Sequence, residues 1–100
     1  MMISNSKQSI QIEAKVMGLL GGQYLSIMVK VNLPNGSTVR QLLKNLLDGG
    51  HIDKTVFGAV KRLKPPISVL INGENIGEGA HKTELHDGDT VSIFTPIAGG

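Results

Sequence analysis

Leu85-His86-Asp87-Gly88-Asp89-Thr90-Val91-Ser92-Ile93-Phe94-Thr95-Pro96-Ile97-Ala98-Gly99-Gly100 is the stretch on which the fold turns. Asp87, Gly88 and Asp89 have the composition of a tight turn in which the glycine takes a positive φ. The residues after them alternate, Val91 and Ile93 toward one face, Ser92 and Phe94 toward the other, as in a half-buried strand over 90–95. Pro96 has no N–H to give to a ladder, so the strand is expected to stop there and leave residues 96–100 as a projecting tail.

Working backward, residues 67–71 are almost continuously apolar and β-rich, which predicts a strand covered on both faces. Asn72 and Gly73 then form the strongest short hairpin signal, leading to a short edge strand around Asn75 and Ile76. Ile52, Val56, Val60 and Leu63 suggest a second helical piece, closed by Pro65 and Pro66. Further upstream, Thr38 followed by Gln41 has the form of a capping box. Val39, Leu42, Leu43, Leu46 and Leu47 recur behind it at helical spacing, leaving Arg40, Lys44 and Asn45 for solvent, until Gly49 and Gly50 stop the helix.

At the other end of the chain, Ile10, Ile12, Ala14 and Val16 alternate with Gln11, Glu13 and Lys15. The alternation resumes through Leu25, Ile27, Val29, Val31 and Leu33, opposed by Ser26, Met28, Lys30 and Asn32. These two runs predict a hairpin, with the glycine-rich stretch 18–22 as its turn. The order is β, β, α, a variable segment, β, a short β and β. That order fits an α+β fold of the β-grasp (ubiquitin-like) type, a mixed sheet wrapped around one main helix, with the first and last strands parallel and adjacent at the middle. The expected organisation is a flexible N-terminus over 1–8, one domain over 9–95 and the tail over 96–100.

A chain of 100 residues that is 40% hydrophobic and 18% charged can bury one core. Its formal charge of +2 and pI near 9.1 arise without a long basic block. With only Tyr24, Phe57 and Phe94 as aromatics, a base-stacking surface is disfavoured, and no nucleic acid is expected as a partner. Cysteine is absent, which removes disulfides, thiolate nucleophiles and cysteine-type zinc sites. No stretch is apolar for long enough to span a bilayer, so no membrane partner is expected and a cytoplasmic location is the default.

His51, His81 and His86 lack metal-ligand spacing, so no metal is expected. Gly73, Gly77 and Gly79 lack the spacing of a phosphate loop, so no cofactor is expected on this chain. Lys61, Arg62 and Lys64 form the one dense charge group, read either as a solvated loop or as a dock for an acidic partner.

Leu85, Asp87, Gly88, Asp89, Val91, Ile93, Phe94, Pro96, Ile97, Ala98, Gly99 and Gly100 together resemble the ending of the ubiquitin-like sulfur carriers, the MoaD/ThiS superfamily. The resemblance is nearest to the small subunit of molybdopterin synthase, the MoaD type, and extends to the order of elements from Ile10 and to the turn at Ile71, Asn72 and Gly73. Members commonly carry two prolines after the aromatic, where this chain has Thr95 and a single Pro96. Thiazole-pathway carriers of the ThiS type are similar too, but are usually shorter, without room for residues 51–64.

The resemblance implies a carrier subunit rather than an enzyme in its own right. In the family, a ubiquitin-activating-type partner uses ATP to adenylate the terminal glycine, and a donor persulfide turns it into a thiocarboxylate. A larger synthase subunit then passes the sulfur to product. Carried over, Gly100 supplies the carboxylate, Gly99 and Ala98 form the tail, and Phe94, Pro96 and Ile97 dock partners. An α-carboxyl, with a pKa of about 3.3–3.7, is ionised at neutral pH and can attack ATP. Two residues without Cβ atoms can thread a narrow channel. A sulfur carrier without cysteine must also carry its sulfur elsewhere than on a thiol. Three other readings stand beside this one: a frayed end, a ubiquitin-like modifier of lysines, and an interaction domain with an inert tail.

Overall fold

The computed structural model describes residues 9–62, 67–77 and 79–95. The expected flexible N-terminus over 1–8 and the tail over 96–100 lie outside them. Strands β1 (Ser9–Leu20) and β2 (Gln23–Pro34) form an antiparallel hairpin, with Ile12 opposite Val31 and Leu20 opposite Gln23. The turn is shorter than the glycine run suggested. Gly21 and Gly22 alone make it, at φ 60° and 78°, the paired positive values of a two-residue hairpin whose twist matches its strands. Gly18, Leu19 and Leu20 belong to β1 instead, because their backbone continues the ladder opposite Leu25, Tyr24 and Gln23.

Helix α1 (Val39–Asp48) starts at the predicted capping box. Thr38 N–H donates to Gln41 Oε1 at 2.8 Å, and Gln41 N–H donates to Thr38 Oγ1 at 3.5 Å. Gly50, at φ 78°, ends it in a Schellman arrangement in which His51 N–H donates to the Leu46 carbonyl at 2.9 Å. Helix α2 (Lys54–Val60) is shorter than the segment 51–63 from which it was expected, since Asp53 caps it by accepting from Val56 N–H at 2.8 Å. The same carboxylate accepts from Gln23 Nε2 at 2.9 Å, tying α2 to the hairpin tip.

Strand β3 (Ser68–Ile71) turns at Asn72 and Gly73, φ 52° and 84°, into β4 (Glu74–Ile76). A short 3-10 turn (Ala80–Lys82), not foreseen in the sequence, precedes the last strand β5 (Thr90–Phe94). The sheet order is β2-β1-β5-β3-β4, with β1 and β5 parallel and the other pairs antiparallel. This is a β-grasp: a mixed sheet holding α1 and α2 on one face. Both helices stand on the face formed by Ile12, Ala14, Val16, Val91 and Ile93, which are buried with Leu42, Leu43, Leu46 and Val56. Among the described residues no layer stands over the other face, and β3 is not covered on both sides as expected: only Val69 of the strand is buried, and Leu70 is half exposed. No helix among the described residues is long and apolar enough to cross a membrane.

Candidate functional site

The turn over 85–89 threads β5 into the sheet beside β1. Asp87 Oδ1 accepts from Gln11 N–H at 2.8 Å, and Gly88, at φ 88°, donates its N–H to the Gln11 carbonyl at 2.9 Å. Asp89 Oδ2 accepts from His86 N–H at 2.9 Å, while its Oδ1 accepts from Asn72 Nδ2 at 2.8 Å. Asn72 Oδ1 in turn accepts from Thr90 N–H at 2.9 Å. The two turn motifs that stood apart in the sequence are therefore one network, and it sets the register of the strand that leads to the tail.

At the other end of β5 the chain is held again. Thr95 N–H donates to the Met17 carbonyl at 3.2 Å, and Thr95 Oγ1 accepts from Leu19 N–H at 3.0 Å and donates to the Leu19 carbonyl at 3.2 Å. Gly18, between those two residues, has φ 110° and leaves the space Thr95 occupies. A Cβ there would lie 2.4 Å from Thr95 Oγ1 and 2.8 Å from its carbonyl oxygen. Thr95 replaces the proline that the resemblance would put at its position, and a proline could make none of these hydrogen bonds with its N or side chain. The last described residue before Pro96 is thus clasped by β1. The glycine run suggests a turn at Gly18, and its close approach to a residue 77 positions later is invisible in the sequence.

The open face of the sheet near this clasp is apolar. Met17 is 42% exposed, Leu19 56%, Tyr24 66% and Met28 64%. Leu19 stands opposite Tyr24 across the hairpin, and Met17 lies beside Phe94 across the β1–β5 pair. Phe94 is half-buried rather than fully exposed, with Met17 as its ladder neighbour, and is not among the side chains packed on the core. Of the expected partner-binding residues, Phe94 therefore sits in an apolar patch, while Pro96 and Ile97 lie outside the described residues, as do Ala98, Gly99 and Gly100. The patch itself was missed, although Met28 on an otherwise polar strand face was a signal for it.

The histidines lie apart: His86 Nδ1 is 3.9 Å from Asp89 Oδ2 in the turn, His81 belongs to the 3-10 turn, and His51 follows α1. Among the described residues no group of three potential metal ligands is found. Lys61 and Arg62 follow α2 on the helical side of the sheet, and Lys64 lies outside the described residues.

The sequence profile of the ThiS family matches residues 19–100, from one of the residues that clasp Thr95 to the last glycine. The chain belongs to the ThiS family. No curated protein matches this ThiS-family chain in sequence. Among solved structures, the HVO 2177 protein of Haloferax volcanii is 27% identical at TM-score 0.58, over 98% of this chain and 93% of that one. SAMP1 from the same organism is 28% identical at TM-score 0.64, over 90% of this chain and 99% of that one. A candidate molybdopterin converting factor, subunit 1, from Pyrococcus furiosus shares the fold, with 20% identity and TM-score 0.52 over 88% of this chain and 99% of that one.

Proposed function

We propose that this ThiS-family chain is a sulfur carrier whose Gly100 carboxylate is the reacting group. The observation that carries the reading is the family match, which runs through the tail to Gly100 and includes Leu19, whose backbone holds the root of that tail. The carboxylate oxygen attacks the α-phosphorus of ATP bound by a ubiquitin-activating-type partner, and pyrophosphate leaves. The terminal sulfur of a donor persulfide then displaces AMP from the acyl adenylate, and a partner thiol opens the resulting S–S bond to release the thiocarboxylate. A larger synthase subunit accepts the sulfur, with molybdopterin as the product the tail resemblance favours. Phe94, Met17, Leu19 and Tyr24 provide the apolar surface on which these partners sit while Gly99 and Gly100 enter their active sites.

The test is intact-mass measurement after incubation with an adenylating enzyme, ATP and a persulfide donor. One oxygen exchanged for sulfur at the terminus is the expected result, lost on deletion of Gly99 and Gly100. Unchanged mass with adenylating enzymes of both the molybdopterin and thiazole pathways would overturn the proposal. A second reading, conjugation of Gly100 to lysines of other proteins, draws on the similarity to SAMP1, a small archaeal modifier protein. Isopeptide-linked peptides ending in Gly100 would establish it.

A further inference from the structure

On the helical side of the sheet, α1, α2 and His81 of the 3-10 turn line an open cleft of about 850 Å³. Arg40 and Lys44 stand one turn apart on α1, and Lys61 and Arg62 follow α2, so four of the ten lysines and arginines of the chain ring one concavity. Its floor is apolar: Leu43 is buried and Phe57 half-buried between the two helices. Among the described residues, no aspartate or glutamate lines it. None of the four cations has an ion pair or side-chain hydrogen bond with another described residue. Like charges gathered without a carboxylate repel one another, and the repulsion is relieved when an anionic group enters.

From this arrangement we infer that the cleft is a second docking site, whose occupant is an acidic, amphipathic segment of a partner protein. The chemistry of the lining selects that occupant. A small phosphate-type ligand calls for converging backbone N–H groups or a buried donor, and here the charges sit on long, exposed side chains around an apolar floor. The N-terminus of α2 is already capped by Asp53. A leucine or phenylalanine of the partner seats on Leu43 and Phe57, and its flanking carboxylates face Arg40 and Lys44 on one side and Lys61 and Arg62 on the other. The sheet separates this cleft from the apolar patch near Thr95, so one partner on each face can be held at the same time. The inference is independent of what the tail carries.

The experiment uses the full chain with a labelled synthetic amphipathic peptide of glutamate and leucine, read by fluorescence polarisation and by amide shifts in two-dimensional NMR. Shifts are expected at Lys44, Phe57, Lys61 and His81 and not at Met17, Tyr24 or Met28. Charge reversal by Lys61→Glu with Arg62→Glu, both exposed and therefore outside the core, should weaken binding about tenfold, with affinity falling as salt is added. Met17→Ser on the opposite face should leave the affinity unchanged. Replacing the peptide's leucines by serine should weaken it as well. Binding that ignores the charge reversal, shifts confined to the sheet face, or polyglutamate binding as tightly as the leucine peptide would each overturn the proposal. Tighter binding of a single-stranded oligonucleotide than of the peptide would overturn it in favour of nucleic acid.

Discussion

Gly18 carries more of the site than any residue singled out for chemistry. Its backbone lies at φ 110°, where a side chain is strained, and the space beside it holds Thr95. Gly18→Ala is expected to destabilise the fold by about 1–3 kcal/mol through strain and the displacement of Thr95. It should also impair loading of the tail beyond what that instability explains. Thermal unfolding compared with thiocarboxylate yield checks both. Thr95→Val, which keeps the shape and removes the hydroxyl, separates the two effects: its cost should be about 1–2 kcal/mol, the net worth of the two hydrogen bonds that the hydroxyl makes with Leu19, with loading impaired if Oγ1 aims the tail. The glycine was visible in the sequence, but its reason was not, because the residue it accommodates lies on another strand.

At the scale of elements, helix α1 could be read almost to the residue, since its cap, leucine stripe and glycine stop are all local signals. Helix α2 is shorter than its apolar spacing suggests: the Asp53 cap on Val56 N–H is a local signal, whereas its tie to Gln23 across the hairpin tip is not. The Gln23 amide, followed by the Val56 N–H, holds the Asp53 carboxyl below its ordinary value of 3.8, against a smaller opposing effect of burial. A lowered folded pKa gives stability that is complete above the unfolded value and lost as pH falls through the folded one. Asp53→Asn should therefore flatten the acid limb of a stability–pH profile below about pH 4. Gln23→Ala should narrow the difference, and denaturant titrations at a series of pH values decide it.

For the whole molecule, the decisive feature is a sheet with one face covered and, among the described residues, one face open. The covered face buries β1, β5 and α1 together, and the open face gathers Met17, Leu19, Tyr24, Met28 and Phe94 near the end of β5. Loss of exposed apolar groups removes little folding energy, whereas loss of interface anchors costs about 1–2 kcal/mol or more each. Leu19→Ser combined with Tyr24→Ala is expected to keep the melting temperature within a few degrees, by about ±0.5 kcal/mol per surface site. The same pair should raise the KM of an adenylating partner for this chain at least tenfold. An unchanged KM would mean that partners dock elsewhere.

The alternation of apolar residues, the capping box at Thr38 and Gln41, the Asn72-Gly73 turn and the Asp87-Gly88-Asp89 turn determined the strands, helix α1 and their order, because each is set by neighbours within a few positions. They also implied the parallel pairing of the first and last strands, which the order of elements demands of a β-grasp. Only the tertiary structure decided that Gly18 continues a strand, that Thr95 is clasped by Met17 and Leu19, that Asn72 and Asp89 share one network, and that scattered apolar side chains form a patch. Those are contacts between residues far apart in the chain, and no local propensity or periodicity records which distant backbone a side chain will meet.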